Sequence, residues 1–267
     1  PKPQNPKTPK PRFNQIIDNN NFKFKMSIEE TVFMARVADQ AERYEDMVDF
    51  LEKIVKEKSD DLTVEERNLL SVGFKNLIGG GRSAFRTVAA IEQNSKYAQY
   101  SEDCAQYKKK IEAELTKKCQ RVINIVKDVC LTKAGDDESR AFYLKMIGDY
   151  YRYMAESVTG EVLNQVAEKA LEFYTKAQTE AEKLPVYNSI RLGLALNFSV
   201  FHYEVKNNST KACEIAQRAL DAAKEDIDNI DNESAKDALS IVELLRENLD
   251  LWKEAEENDK GNEVEDL

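Results

Sequence analysis

The stretch RNLLSVGFKNLIGGGRSAFR occupies residues 67–86 and is the most informative segment of the chain. It lies in a pattern that begins with helix-capping residues at positions 61–66 and continues to about Asn94, so we predict one long helix. Lys75 and Arg82 are seven residues apart, about two helical turns, so their charged ends lie on one side of this helix. Two cations on one face are suited to binding a phosphate group.

The sequence on both sides of this stretch is also predicted to be helical. Ser27 followed by Glu30 fits a capping box, which marks the start of the first helix. Apolar residues at helical spacing indicate the others. Short links between them predict an all-α fold in which nine antiparallel helices form a layered bundle, and no sustained repeat of 34 residues is present. The predicted helices span about residues 27–43, 44–58, 61–94, 101–131, 136–159, 161–183, 188–205, 209–227 and 233–254.

The composition is that of a soluble protein that can bury a sizeable core. Of its 267 residues, 42% are hydrophobic and 33% are charged. There is no apolar run long enough to cross a membrane and no apolar secretory signal, so we expect no membrane insertion. The net charge of −10 argues against nucleic-acid binding. The four cysteines are expected to be reduced thiols, as in a cytoplasmic protein. Exchange of the protein into the nucleus is left open.

Signatures of catalysis and of metal binding are missing from the sequence. The cysteines show no CxxC spacing and His202 is the single histidine, so a zinc cluster is not expected. Gly79–Gly81 lies in a predicted helix and lacks the following lysine and hydroxyl residue of a P-loop. We therefore predict no enzymatic activity, no metal and no cofactor. His202 is expected to be a packing residue rather than a base.

The two ends of the chain differ in charge from each other and from the middle. Residues 1–26 are rich in proline and lysine and predict a disordered or extended basic extension. Residues 255–267 predict an acidic, disordered tail. The predicted helical domain is therefore residues 27–254.

A second segment, KMIGDYYRY at residues 145–153, carries charged side chains at helical spacing. Lys145, Asp149, Arg152 and Glu156 are four, three and four residues apart and share one stripe, with Tyr153 beside it. Taken alone, such a stripe is typical of a surface ladder of salt bridges, which contributes little stability. Taken alone, the cations of the long helix would likewise be a solvated face.

Three segments resemble, in order, blocks of the 14-3-3 family: RNLLSVGFKN at 67–76, DYYRYMAE at 149–156 and RLGLALNFSVF at 191–201. The resemblance covers residues 27–252. It implies a eukaryotic, cytosolic, cup-shaped dimer in which each protomer has a concave amphipathic groove. That groove would bind a phosphoserine or phosphothreonine peptide.

The resemblance also implies the residues of the groove. Lys75, Arg82, Arg152 and Tyr153 would form its phosphate pocket, and two guanidinium groups with a phenol would give directional donors. Some of the peptide-binding positions have a simpler alternative, because the two asparagines could be satisfied core amides and the tryptophan could be core packing. The implied peptide-binding residues are Lys145, Gly193, Leu196, Asn197, Val200, Glu204, Ile241, Leu244, Asn248, Leu251 and Trp252.

Departures from the family pattern are found in the same regions. Three successive glycines, Gly79–Gly81, each cost about 1 kcal/mol relative to alanine in a helix, which predicts a softer third helix beside Arg82. Ile147 replaces a lysine that is common in the family and so is expected to remove a charge from the groove. Ser240 stands where a groove leucine is usual. These exchanges predict an altered peptide preference.

A dimer interface is implied as well. Arg43 and Asp46 match charged interface residues whose partners across the two-fold axis would be Glu114 and Lys110. The dimer would be a homodimer or a mixed dimer with related proteins. The matching apolar interface positions are Val37, Ala41, Val88, Ile91 and Tyr107.

These features predict an adaptor that binds phosphorylated segments of client proteins and changes their shape, partners or location. The resemblance implies a preference for arginine before the phosphoresidue and often proline two residues after it. Two alternatives remain. The chain could be a helical scaffold that no longer binds phosphate, or its groove could be occupied by the acidic tail or by the N-terminal extension around Thr8 and Pro9.

Overall fold

The computed structural model describes residues 26–224 and 232–265, and this part of the chain contains helices without any β-strand. The basic extension, with Thr8 and Pro9, lies outside the described residues. A 3₁₀ turn, Ser95–Tyr100, precedes the fourth long helix, and a π-helical turn, Val126–Cys130, followed by Leu131–Lys133, extends that helix. The prediction of nine helices in an all-α fold is confirmed for the described residues. They are α1 Ile28–Gln40, α2 Tyr44–Glu57, α3 Val64–Gln93, α4 Ser101–Ile125, α5 Asp137–Ala155, α6 Gly160–Ala181, α7 Ser189–Glu204, α8 Ser209–Ala223 and α9 Asn232–Glu265.

Side-chain caps define where the first and third helices begin. The backbone N–H of Glu30 donates to Ser27 Oγ at 3.1 Å, and the N–H of Ser27 donates to Glu30 Oε2 at 2.8 Å. Thr63 and Glu66 form the same reciprocal pair at the start of α3, at 3.2 and 2.7 Å. Each box satisfies two backbone donors that the first turn leaves free. The predicted capping box at Ser27 is confirmed.

Several helix ends differ from the prediction. The first helix ends at Gln40 rather than near residue 43, because Glu42 has a φ of 55° and leaves the helical conformation. The last helix continues to Glu265, well past the predicted end near residue 254. Ala255 and the glutamates at 254, 256 and 257 are strong helix formers and favour the first turn of this continuation. The segment 225–231, which includes the predicted end of the eighth helix, lies outside the described residues.

The core consists of two clusters of buried apolar residues. The larger one extends across α1–α8 and includes Phe74, Tyr143 and Tyr174, none of which exposes as much as 2% of its surface. The second lies between α7, α8 and α9, around Leu245 and Trp252. Consecutive helices pack together as α1 with α2, α3 with α4, α5 with α6 and α7 with α8. None of the described helices combines the length and apolar character needed to cross a membrane.

Gly79–Gly81 lies in the interior of α3, which is continuous through all three positions. A Cβ atom placed on Gly79 or Gly80 would meet nothing within 4 Å, whereas one placed on Gly81 would lie 2.8 Å from Leu115 Cδ2 on α4. Gly81 therefore permits close packing of α3 against α4. The lower local stability of this segment stays a prediction.

Alanine substitutions at two of these glycines should have different effects. Gly80→Ala is expected to raise the free energy of unfolding by about 1 kcal/mol, because alanine is the better helix former and its methyl group is accommodated. Gly81→Ala should give no gain, because the buried Leu115 side chain must move to admit the methyl group. Urea denaturation of the two variants checks this. Equal stabilisation by both would contradict it.

Candidate functional site

Three of the four predicted phosphate-binding residues meet where α3 and α5 approach each other. The Cζ atom of Arg82 lies 4.0 Å from the centre of the Tyr153 ring, and the Cζ atom of Arg152 lies 4.6 Å from the same centre. Both guanidinium groups thus contact one aromatic ring, an arrangement that stabilises cations. Lys75 is exposed on α3 and makes no ion pair with any residue that the structure describes. The structure therefore brings Arg82, Arg152 and Tyr153 together, with Lys75 accessible to solvent.

Glu156 places a carboxylate among these cations. Its Oε2 atom accepts from Arg82 Nε at 3.0 Å and its Oε1 atom accepts from Arg82 Nη2 at 2.6 Å. Arg86 Nη2 donates to Oε2 at 3.0 Å, and Arg152 Nη1 lies 3.7 Å from Oε1. The sequence placed Glu156 in the charged stripe that begins at Lys145, but Arg86 was not predicted to belong to this cluster. Because Arg86 follows Arg82 by four residues on α3, helical spacing was a signal that could have found it.

Arg152 is a buried cation, with 8% of its side chain exposed. Its Nε atom donates to the hydroxyl of Tyr174 at 3.2 Å, and that hydroxyl donates to Asp149 Oδ1 at 2.7 Å. Burial lowers the pKa of Arg152, but the neighbouring Tyr174, Tyr153 and Asp149 outweigh this effect and hold the pKa above its ordinary value. The pKa of Tyr153 is raised, first by burial and then by Asp149, so its hydroxyl keeps a proton to donate. The surface-ladder alternative does not apply to this arginine.

Asp149 is the centre of a network that joins three helices. Its Oδ2 atom accepts from Lys145 Nζ at 2.8 Å, and its Oδ1 atom accepts from Asn197 Nδ2 at 2.8 Å. Tyr174 reaches it because Gly148 has no side chain, and a Cβ atom there would lie 2.8 Å from Tyr174 Cδ1. Two predicted peptide-binding residues, Lys145 and Asn197, are thus held by one carboxylate.

The remaining predicted peptide-binding residues lie on α7 and α9. A Cβ atom on Gly193 would lie 3.7 Å from Lys145 Cε and 3.9 Å from Ile241 Cδ1, which places α5, α7 and α9 side by side at this point. Glu204 is 52% exposed, and its Oε2 atom lies 3.8 Å from Arg152 Nη1. Leu196, Val200, Ile241 and Asn248 are half-buried, whereas Leu244 and Leu251 are exposed.

Two positions are core residues rather than groove surface. Trp252 exposes 6% of its surface and stacks on Tyr203 with ring centres 4.9 Å apart, so the structure supports the core-packing alternative. Ile147 is fully buried, and the expected removal of a groove charge is wrong because this face of α5 points into the main core. Ser240 is exposed, and its hydroxyl donates to the backbone oxygen of Lys236.

Most of the predicted dimer residues, which lie on or beside α1 to α4, are exposed. Val37, Ile91 and Tyr107 expose 42%, 39% and 55% of their surfaces. Sequence reasoning missed Phe33, which is 64% exposed and lies one turn before Val37 on α1. Neighbouring exposed apolar residues such as Phe33 and Val37 are typical of an interaction surface. Of the remaining predicted positions, Ala41, Lys110 and Glu114 are exposed, Val88 is half-buried, and Arg43 and Asp46 form an ion pair with each other.

The cysteines and the histidine have environments that suit packing. Burial raises the pKa of the Cys119 thiol and of the Cys130 thiol to about 12, so neither is a reactive thiolate. His202 is 9% exposed and lies against Phe198, with ring centres 4.8 Å apart. Burial, Lys211 and Lys206 lower its pKa. It is a packing residue, as expected.

Comparison with known proteins identifies the family of this chain. A family model described as 14-3-3 protein matches residues 34–253. The 14-3-3-like protein GF14-E of Oryza sativa subsp. japonica is 45% identical over 246 residues, which cover 90% of this chain and 94% of that protein. The 14-3-3-like protein B of Hordeum vulgare is 45% identical over 247 residues, with the same shares covered. The 14-3-3-like protein A of Glycine max is 45% identical over 245 residues, which cover 90% of this chain and 95% of that protein. The chain therefore belongs to the 14-3-3 protein family.

Proposed function

We propose that the protein is a non-enzymatic adaptor of the cytoplasm that binds phosphoserine or phosphothreonine segments of client proteins and regulates their conformation, interactions or location. Family membership implies this function. The observation that carries it is the pair of guanidinium groups, from Arg82 and Arg152, on the ring of Tyr153. We propose no cofactor for this role.

The chemistry of this cluster suits a phosphate dianion. Arginine presents two parallel N–H donors that match two phosphate oxygens, and the phenol of Tyr153 can add a third donor. Because Arg152 is nearly buried, its attraction to a phosphate is screened less than that of a surface cation. Lys75 would add an accessible charge from the same face of α3.

The rest of the peptide would be held beside this cluster. Asn197 and Asn248 would bind its backbone, since an amide can donate and accept at once. Lys145, next to Asn197 through Asp149, would contact polar groups of the peptide. Exposed leucines on α9 would provide the apolar wall.

Fluorescence anisotropy with a labelled, arginine-containing phosphoserine peptide and its unphosphorylated twin tests the adaptor function. We expect binding that depends on the phosphate and that is lost in Arg82→Glu. The substitution replaces a guanidinium group, which would donate hydrogen bonds to the phosphate, with a carboxylate, which would repel it. Arg218→Glu is the matched control, since it makes the same charge change at an exposed position on α8. Equal binding of both peptides, unaffected by Arg82→Glu, would favour the scaffold.

We also propose a homodimer that buries the exposed residues of α1, α3 and α4. Light scattering at micromolar concentration should show one species of twice the 30.5 kDa chain mass. Val37→Asp should shift it toward the monomer, because a charge would be buried without a partner. Val162→Asp, at a valine on α6 that is 50% exposed, is the control and should leave the dimer unchanged. A 30.5 kDa species alone for the unmodified protein would contradict the dimer.

A further inference from the structure

The phosphate cluster already contains an anion, the carboxylate of Glu156. Both of its oxygens accept from Arg82, and Arg86 and Arg152 lie at 3.0 and 3.7 Å. Only 15% of the Glu156 side chain is exposed. A carboxylate that bridges one arginine through two parallel hydrogen bonds makes the same contact that a phosphate would make. The Nε and Nη2 donors of Arg82 are thus engaged in the free protein.

The other cation of the cluster is balanced in the same way. On its buried side, Arg152 is linked to Asp149 through the hydroxyl of Tyr174. On the side of the site, its Nη1 atom lies 3.7 Å from Glu156 Oε1 and 3.8 Å from Glu204 Oε2. An incoming phosphate therefore meets a site whose arginines are paired with carboxylates. It can use Arg82 fully only if Glu156 gives up its two hydrogen bonds.

Resting on the proposed function, we propose that Glu156 competes with the phosphate group for the arginines. A ligand can then occupy the site only if it binds Arg82 and Arg152 more strongly than the carboxylate of Glu156 does. A phosphoserine at neutral pH carries nearly two negative charges and can replace the carboxylate with a net gain. A glutamate in a client peptide carries one charge and offers Arg82 nothing that Glu156 does not already provide. The competition thus disfavours a carboxylate in the place of the phosphate at Arg82 and Arg152.

Arg86 gives the displaced carboxylate a second partner. Its side chain is 63% exposed and it bonds the Oε2 atom of Glu156, whereas Arg82 and Arg152 are at most 20% exposed. Glu156 can therefore turn toward Arg86 and solvent while Arg82 turns to the phosphate. Arg86 would lower the cost of displacement without leaving the carboxylate unpaired.

Anisotropy titration with three peptides of one sequence, carrying phosphoserine, glutamate or serine, tests the proposal. Glu156→Gln keeps the shape of the side chain and removes its charge. We expect it to bind the phosphoserine peptide at least fivefold more tightly and to bind the glutamate peptide measurably. Glu180→Gln is the matched control, because it removes the same charge at a residue that pairs with Arg140. It should bind like the unmodified protein.

Unchanged phosphopeptide binding by a folded Glu156→Gln would overturn the proposal, because Glu156 would then not compete with the phosphate. Weaker binding would also overturn it, because Glu156 would then be positioning the arginines. Failure of the unmodified protein to bind, with binding restored in Glu156→Gln, would support it, whereas no binding by either would overturn both this proposal and the proposed function. Arg86→Ala gives an independent check that does not disturb the core. Introduced alone, Arg86→Ala should weaken phosphopeptide binding. Introduced together with Glu156→Gln, it should weaken binding by a factor at least threefold smaller, and equal factors in the two backgrounds would overturn the role of Arg86.

Discussion

Arg152→Ala is expected to weaken binding of a phosphoserine peptide by about 3 kcal/mol, or roughly a hundredfold in the dissociation constant. The substitution removes a nearly buried guanidinium group and leaves Glu156 and Glu204 facing the site without it. The phosphate would then lose a donor and meet two carboxylates that are less well compensated. Anisotropy titration measures the change.

Arg152→Lys sharpens this experiment, because it keeps the charge but loses the planar fork of donors. We expect an affinity between those of the unmodified protein and Arg152→Ala. Circular dichroism should show that both variants are folded. An Arg152→Ala protein that binds phosphopeptide normally would show that phosphate is bound elsewhere.

The second large effect is expected on stability. Asp149→Ala should lower the free energy of unfolding by about 3–5 kcal/mol, because it removes the acceptor of a buried network. Asp149 is 7% exposed, and Lys145, Tyr174 and Asn197 all donate to it. Without the carboxylate, the hydroxyl of Tyr174 and the ammonium group of Lys145 would be left poorly paired.

Urea denaturation at a fixed protein concentration measures this effect, since dimerisation would otherwise change the apparent stability. Asp137→Ala is the matched control. Asp137 is on the same helix and pairs with Arg140 and Lys183 at the surface, so its loss should cost no more than about 1 kcal/mol. Similar losses for the two variants would show that the network around Asp149 contributes no special stability.

The sequence was sufficient to predict the helices and several of their starts. Capping boxes are local, so Ser27 with Glu30 could be identified without knowing any other part of the fold. The face shared by Lys75 and Arg82 also followed from helical spacing. Spacing on one helix, however, does not say how that helix is placed against another, and of the two cations on α3 it is Arg82 whose guanidinium group lies over the Tyr153 ring.

The environment of Asp149 shows what the sequence could not provide. Its spacing from Lys145 and Arg152 was equally consistent with a solvated ladder. The network is buried because Tyr174 and Asn197, 25 and 48 residues further along the chain, come from two other helices. The burial of Trp252 and Ile147 could not be predicted for a related reason, since a small rotation of a helix decides whether an apolar side chain faces a groove or the core.

The hydroxyl of Tyr174 has a consequence for how the protein would recognise its clients. It accepts from Arg152, a phosphate-binding candidate, and donates to Asp149, which holds the peptide-binding candidates Lys145 and Asn197. Recognition of the phosphate and recognition of the peptide backbone would then be thermodynamically coupled, and substitutions at Arg152 and Asn197 would not have additive effects on affinity. Helix α6 carries Tyr174 but none of the predicted binding residues. Changes on this helix could therefore adjust client selection without altering a single residue that touches the client.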